Sequence, residues 1–290
     1  MTETVLITDS CCDIPRELTR QRRIEVLPFH YLLDGVEHDD DGGETTSYED
    51  FYRRLQDGER ITTSQVALAA YTEAFERAVQ AGKQVVVIVF SSALSGSYAG
   101  AVLARENVLA LNPGARIHIV DSLCACTGQG LLVLETAKRI EVGMDASEAA
   151  RFADEAKGRM NHIFTVDSFA HLVAGGRVSP AVGMAGTMLN IKPVMRMDAG
   201  GHLVPLAKPR GRHRAITMIA DIAAERIQDA GGQTIAVAHG DCLQDAEMLR
   251  DLVMERTGAT DVLMSRVGSV IGAHTGPGVL SVYFWGQERE

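Results

Sequence analysis

Three short segments of this 290-residue chain place hydroxyls, glycines and a histidine where an apolar run stops. Thr62-Thr63-Ser64-Gln65 precedes the amphipathic stretch Leu68–Ala81, and Ser91-Ser92-Ala93-Leu94-Ser95-Gly96-Ser97 follows the most apolar run, Gln84–Phe90. Gly272-Ala273-His274-Thr275-Gly276-Pro277-Gly278 lies between two apolar segments and reads as a shaped loop. Proteins of the α/β class put ligands at such strand ends. The helix start after Gly96 offers backbone N–H groups to a carboxylate or phosphate, and hydroxyls and an imidazole add donors without a full counter-charge. Each segment also has a purely local reading: Thr63 or Ser64 as a helix N-cap, the serines as caps of the next helix, His274 as a structural loop residue.

Other chemistries find no foothold. Gly128-x-Gly130 looks like the start of a dinucleotide fingerprint, but Val133 stands where a third Gly or Ala should close helix on strand. Ser95-Gly96 lacks the upstream glycine of a nucleophile elbow, and no phosphate-loop lysine motif occurs. The five cysteines fall as Cys11-Cys12, Cys124-x-Cys126 and Cys242. With no second ligand pair they predict reduced thiols and no metal. Asp39-Asp40-Asp41-Gly42-Gly43-Glu44 lacks the alternate spacing of a calcium loop and reads as a solvated loop.

Positioning these segments requires two kinds of architecture. In the first half, strands at Val5–Thr8, Gln84–Phe90 and Arg116–Val120 alternate with helices at Pro15–Arg22, Tyr48–Gln56, Leu68–Ala81, Tyr98–Asn112 and Gly130–Val142. That rhythm predicts a mostly parallel α/β domain. From Ile163 onward, strands are expected at Ile163–Asp167, Pro193–Met197, His202–Ala207, Thr234–Ala238, Asp261–Val267 and Val279–Phe284. Helices are expected there at Ala181–Leu189, Arg212–Gln228 and Cys242–Thr257. Asp198-Ala199-Gly200-Gly201 is a hairpin signal, so this half is α+β with a mixed or antiparallel sheet flanked by helices. We therefore expect domains at 1–160 and 161–290, with the His274 loop in the second. The run Val182–Met197 is rich in Met, Val, Leu and Ala, an adaptable apolar surface.

A formal charge of −10 leaves no footprint for nucleic acid, which is held largely by Lys and Arg displacing counterions. No run approaches the roughly 20 apolar residues that cross a bilayer, and Met1-Thr2-Glu3-Thr4 leads straight into a strand with no room for a signal segment. A cytoplasmic protein without stable membrane insertion is expected.

Taken in order, Ile7-Thr8-Asp9-Ser10, Thr63-Ser64-Gln65, Ser91 to Tyr98, Asp121-Ser122, Gly175-Gly176-Arg177-Val178-Ser179, Ile191-Lys192-Pro193 and His274-Thr275-Gly276-Pro277-Gly278 resemble the successive signatures of the DegV family. The resemblance spans nearly the whole chain. It departs at Val66, where the family usually has Pro, and at Ser97 and Cys11, where it has Thr. The resemblance implies a lipid-binding protein, not an enzyme, that needs no cofactor. It would hold one long-chain fatty acid such as palmitate or oleate between the two domains, its acyl chain in an apolar tunnel of the second that the run Val182–Met197 suits. It would present that acid to a separate ATP-dependent fatty acid kinase for acyl phosphate formation and phospholipid synthesis. Carried over motif by motif, the carboxylate contacts fall on Thr63, Ser95 and His274, supported by Thr62, Ser64, Gly96, Ser97 and Thr275, and Arg210 faces the kinase. The competing reading is a stand-alone small-molecule kinase subunit, or an acyl hydrolase using Ser95 with His274.

Overall fold

A computed structural model describes residues 2–184 and 190–290. In chain order its first part runs β1 (Thr4–Asp9), α1 (Arg16–Gln21), β2 (Glu25–Leu27), β3 (His30–Leu33), β4 (Val36–Asp39), α2 (Tyr48–Gln56), β5 (Thr62–Ser64), α3 (Leu68–Gln80), β6 (Gln84–Val89), α4 (Ser97–Leu111), β7 (Ile117–Asp121), α5 (Cys126–Glu141) and α6 (Ala146–Ala156). It continues through β8 (Met160–Thr165), α7 (Ala170–Ala174), α8 (Pro180–Met184), β9 (Val194–Met197), β10 (Leu203–Ala207), α9 (Arg212–Arg226), β11 (Ile235–His239), α10 (Leu243–Thr257), β12 (Val262–Arg266), α11 (Ser269–Thr275) and β13 (Leu280–Trp285).

β2-β1-β6-β7 form a parallel sheet with β6 in its interior. The run Val85–Val89 is wholly buried, as a parallel strand covered on both faces must be. The second half supplies a mixed six-stranded sheet, β10-β9-β8-β13-β11-β12, in which only β11 and β12 pair in parallel. The expected pairing of Pro193–Met197 with His202–Ala207 is the antiparallel β9–β10 hairpin. Thr62–Ser64 is a short strand pairing with β3 in a third, antiparallel sheet, β4-β3-β5. The expected helix Ala181–Leu189 coincides with α8 to Met184, and its remainder lies outside the described residues.

α5 joins the two large sheets. One apolar core runs from Leu6, Ile88 and Val120 of the parallel sheet, across Leu131, Leu132 and Val133, to Met160, Phe164 and Tyr283 of the mixed sheet. The glycines Gly128 and Gly130 that resembled a nucleotide fingerprint lie in α5 and permit this close packing. A Cβ at Gly128 would stand 2.3 Å from His162 Nε2, and one at Gly130 would stand 2.6 Å from the carbonyl oxygen of Cys12. Because the second obstacle is backbone, Gly130→Ala is expected to destabilise the fold by about 1–3 kcal/mol, the usual cost of overpacking a dense core. Gly114→Ala, with nothing within 4 Å of the new Cβ, should be near neutral. Urea midpoints of the two variants measure the difference.

The acidic run is not simply a solvated loop. Asp40 is buried, and its carboxyl accepts hydrogen bonds from the Ser10 side chain and the Ser269 backbone. Gly268 of the second half packs over the Asp13 carboxyl, with that of Asp40 nearby. All five cysteines are free thiols, four of them buried. Among the described residues, no helix is long and apolar enough to cross a membrane and no group of His, Cys, Asp and Glu has the arrangement of a metal site.

Candidate functional site

The polar segments meet at one junction. β5 pairs Thr63 with Tyr31 of β3, and α11 crosses the same small sheet, so that Thr63 Oγ1 and His274 Nε2 are hydrogen bonded at 2.8 Å across 211 residues of sequence. His274 sits not in a loop but in the last turn of α11, which Gly276 ends with φ +77°. Ser95 lies in the turn that leaves β6: Leu94 and Ser95 N–H donate to Ser91 O, and the Ser97 N–H donates to Ser95 Oγ at 3.2 Å just as α4 begins. Ser91 Oγ donates to Gly201 O of the β9–β10 hairpin, tying this turn to the second half of the chain.

A fourth polar group arrives from the segment after β8. α7 ends in a paired cap: Arg177 N–H donates to Leu172 O and Gly176 N–H to Val173 O, with Gly176 at φ +73°. Gly175 has a different reason to be glycine, because a Cβ there would stand 2.1 Å from His274 Nδ1. Arg177 follows directly and turns its guanidinium toward the Ser95 turn, where Nε donates to Leu94 O at 3.1 Å and Nη1 donates to Gly175 O. Among the described residues, no carboxylate pairs with it.

Thr63, Ser64, Ser95, Gly96, Arg177, His274 and Thr275 all line one cavity of 390 Å³. That volume falls within the roughly 300–1,000 Å³ of ligand pockets. Ser64, Gln65 and Gly96 mark its exposed, polar end. Its walls are apolar side chains from both halves of the chain, among them Phe29, Phe90, Leu94, Phe164, Met197 and Ile271. The lining thus belongs to both halves, not to the second alone. Of the run Val182–Met197, Met197 is the lining residue among those described.

A family profile described as "Uncharacterised protein, DegV family" matches residues 3–286. The chain belongs to the DegV family. A DegV domain-containing protein of Clostridium perfringens is 38% identical over 290 residues, covering 100% of both chains. The crystal structure of DegV, a fatty acid binding protein from Bacillus subtilis, aligns with a TM-score of 0.84 at 27% identity, over 99% of this chain and 100% of that one. A DegV lipid binding protein from Thermotoga maritima aligns with a TM-score of 0.85 at 26% identity and the same coverage. The mixed α/β architecture described above is that of these DegV structures.

The electrostatics of this DegV site rest on two groups. Burial, reinforced by the Arg177 guanidinium and by His171, pushes His274 down to about 4, so its ring is neutral near pH 7. Nε2 is committed to Thr63, and Nδ1 is buried without a hydrogen-bond partner against Gly175. Arg177 therefore supplies the positive charge, although burial lowers its pKa too. At the enclosed end stand Cys126, His162, Ser281 and Tyr283. Burial drives His162 down to about 3; its Nδ1 is hydrogen bonded to Met160 O and its Nε2 accepts from Ala125 N–H.

The remaining expected site residues lie elsewhere. Thr62 is exposed on β5 and does not line the cavity, and Ser97 is buried with its hydroxyl on Tyr71 at 2.9 Å. Arg210 is exposed just before α9 and forms an isolated bridge with Ile191, away from the cavity wall. Sequence reasoning did not single out Arg177. The signal was present as a lone basic residue directly after a Gly-Gly pair at a helix end.

Proposed function

We propose that this chain binds one long-chain fatty acid, with the acyl chain in the 390 Å³ cavity and the carboxylate at its polar end, and presents that carboxylate to a separate ATP-dependent kinase. The observation that carries the reading is a half-buried guanidinium, Arg177, lining the polar end of an otherwise apolar cavity beside two hydroxyls and a neutral imidazole. A cation held in partial burial without a carboxylate partner favours an anion at that point. The apolar walls favour a ligand whose remainder is hydrocarbon. Burying about fifteen methylenes is worth on the order of 12 kcal/mol before the costs of ordering, enough for retention through purification. The fatty acid binding of the Bacillus subtilis relative supports the same reading. Denaturing extraction and mass spectrometry should recover about one fatty acid per chain; lipid-free protein with no saturable binding of added palmitate or oleate would overturn it. The proposed division at about residue 160 follows from the same frame, with each half contributing a wall.

A hydrolase using Ser95 and His274 is disfavoured by the hydrogen bonds themselves. His274 Nε2 is held by Thr63 and its unpartnered Nδ1 is packed against Gly175, and among the described residues no hydrogen bond joins His274 to Ser95, the contact a nucleophile and its base need. Presentation to a kinase is supported by Lys208-Pro209-Arg210-Gly211-Arg212-His213-Arg214, a basic run in a chain of net charge −10. Arg212 is already committed to Asp245 at 2.7 Å, whereas Arg210 is exposed. With a cognate kinase and ATP, Arg210→Ala is expected to depress acyl phosphate formation about tenfold or more, as losing a charged contact does, while lipid affinity stays within a few fold. Acyl phosphate made by this chain alone would reject the two-protein scheme.

A further inference from the structure

His171 does not line the cavity, yet it is built into the part of the fold that carries the head-group residues. It lies on α7, four residues before Gly175, while His274 lies on α11, two residues before Gly276. The two histidines make reciprocal contacts. A Cβ at Gly175 would stand 2.1 Å from His274 Nδ1, and a Cβ at Gly276 would stand 2.4 Å from His171 Cδ2 and 2.9 Å from its Nε2. Each ring is therefore seated on the backbone of the glycine that ends the other helix.

These contacts matter because neither helix can hold itself in place. α7 has 5 residues and α11 has 7, far below the ~12–15 at which an isolated helix becomes even marginal. On its inner side α7 is anchored by Phe169 and Leu172, both buried in the core. Those anchors fix its depth but not the disposition of its far end toward α11. That end is the cap that delivers Arg177, and on that side the seat of His171 on Gly276 locks it to α11 together with the seat of His274 on Gly175.

We propose that His171 is a positioning residue for the head-group site: its ring, wedged on Gly276, holds the α7 cap against α11 so that Arg177 faces the same point as Thr63 and His274. This rests on the fatty-acid reading. The ring acts by packing and needs no contact with the ligand. Its loss loosens only the carboxylate contact that Arg177 makes, and the acyl walls keep their shape.

The test compares palmitate with hexadecanol, which shares the chain and lacks the charge. His171→Ala is expected to weaken palmitate binding about tenfold and hexadecanol binding less than about twofold. His171→Phe, which keeps a flat ring, should restore palmitate affinity to within about threefold. In an Arg177→Ala background, His171→Ala should add less than about twofold, since the contact it serves is already gone. Equal losses for acid and alcohol, an additive effect with Arg177→Ala, or no rescue by phenylalanine would each overturn the assignment. Wild-type protein that binds neither amphiphile would instead overturn the fatty-acid reading beneath it.

Discussion

Replacing Arg177 by alanine is expected to raise the dissociation constant for palmitate about 100-fold, a loss of about 2.7 kcal/mol, and to leave hexadecanol binding nearly unchanged. The guanidinium is the formal positive charge on the polar end of the cavity, because His274 is held neutral at physiological pH. A hydrogen bond to a charged partner contributes about 1.5–3 kcal/mol, and a guanidinium can make two to one carboxylate. Arg177→Lys should recover little, since a point charge cannot satisfy Leu94 O, Gly175 O and a carboxylate from one fixed plane. Ser95→Ala and His274→Ala remove neutral donors and should weaken palmitate by roughly 10-fold or more, again sparing the alcohol. Titration calorimetry with both ligands separates the cases. If Arg177→Ala stays folded and binds palmitate as wild type does, the carboxylate is held elsewhere.

Much of the scaffold around that site was legible before any coordinates. Gln84–Phe90 reads as a strand from its β-branched apolar run, and the structure has β6 at Gln84–Val89, covered on both faces as a strand with no polar face must be. α2 and α3 declared themselves through apolar stripes at helical spacing. What escaped were elements too short to carry a period. α7 and α11 span 5 and 7 residues, and β5 is three polar residues whose strand character comes only from pairing with β3. α6 escaped for a different reason: its Asp145 and Glu148 form a capping box that was readable but not weighed.

The site itself divides along the same line. That Thr62–Gln65, Ser91–Ser97 and Gly272–Gly278 carry hydroxyls, glycines and a histidine is a fact of sequence; that Thr63 and His274 touch is a fact of tertiary structure, which no spacing within a segment reveals. Their grouping was expected from the family resemblance, not from periodicity. Arg177 is one basic residue after Gly175-Gly176, a pattern that names no ligand by itself. The structure gives those glycines separate duties, one yielding space to His274 and the other taking a left-handed conformation, and both serve the residue that follows. Asp40 was misjudged as solvated because three consecutive aspartates look like a surface run, whereas the chain buries one of them beneath the start of α11.

That burial has a measurable consequence for stability against pH. Burial raises Asp9 and Asp40 to about 7 and pushes Asp13 up as well, despite hydrogen bonds from Phe90 N–H and Gln129 to Asp9 and from Ser10 and Ser269 to Asp40. Carboxyls raised in this way stabilise the folded state most below their ordinary range near 3.8, and that stability is lost as pH climbs through about 7. Over the whole window the change is about 4 kcal/mol for each of Asp9 and Asp40. His162 and His274 act in the opposite sense. Their depressed values make the fold stable above about 6.5 and less so as pH falls toward 4 and below, so they mask the carboxyls in the acid range. At pH 6.5 each histidine is still about half protonated in the unfolded chain, so between pH 6.5 and 8 the two return about 0.4 kcal/mol apiece and offset part of the carboxyl loss. Each carboxyl is expected to lose roughly 1 kcal/mol between pH 6.5 and 8, and the difference between the wild-type and Asp40→Asn urea midpoints at constant slope reads the Asp40 share free of the histidines. Asp40→Asn keeps an oxygen for the Ser269 N–H and an amide group facing Ser10, so it should fold and lose about 1 kcal/mol less than wild type over that interval. A difference between wild type and Asp40→Asn that stays constant from pH 6.5 to 8 would mean that Asp40 is already ionised in the folded protein, and that a cation or a rearrangement compensates it.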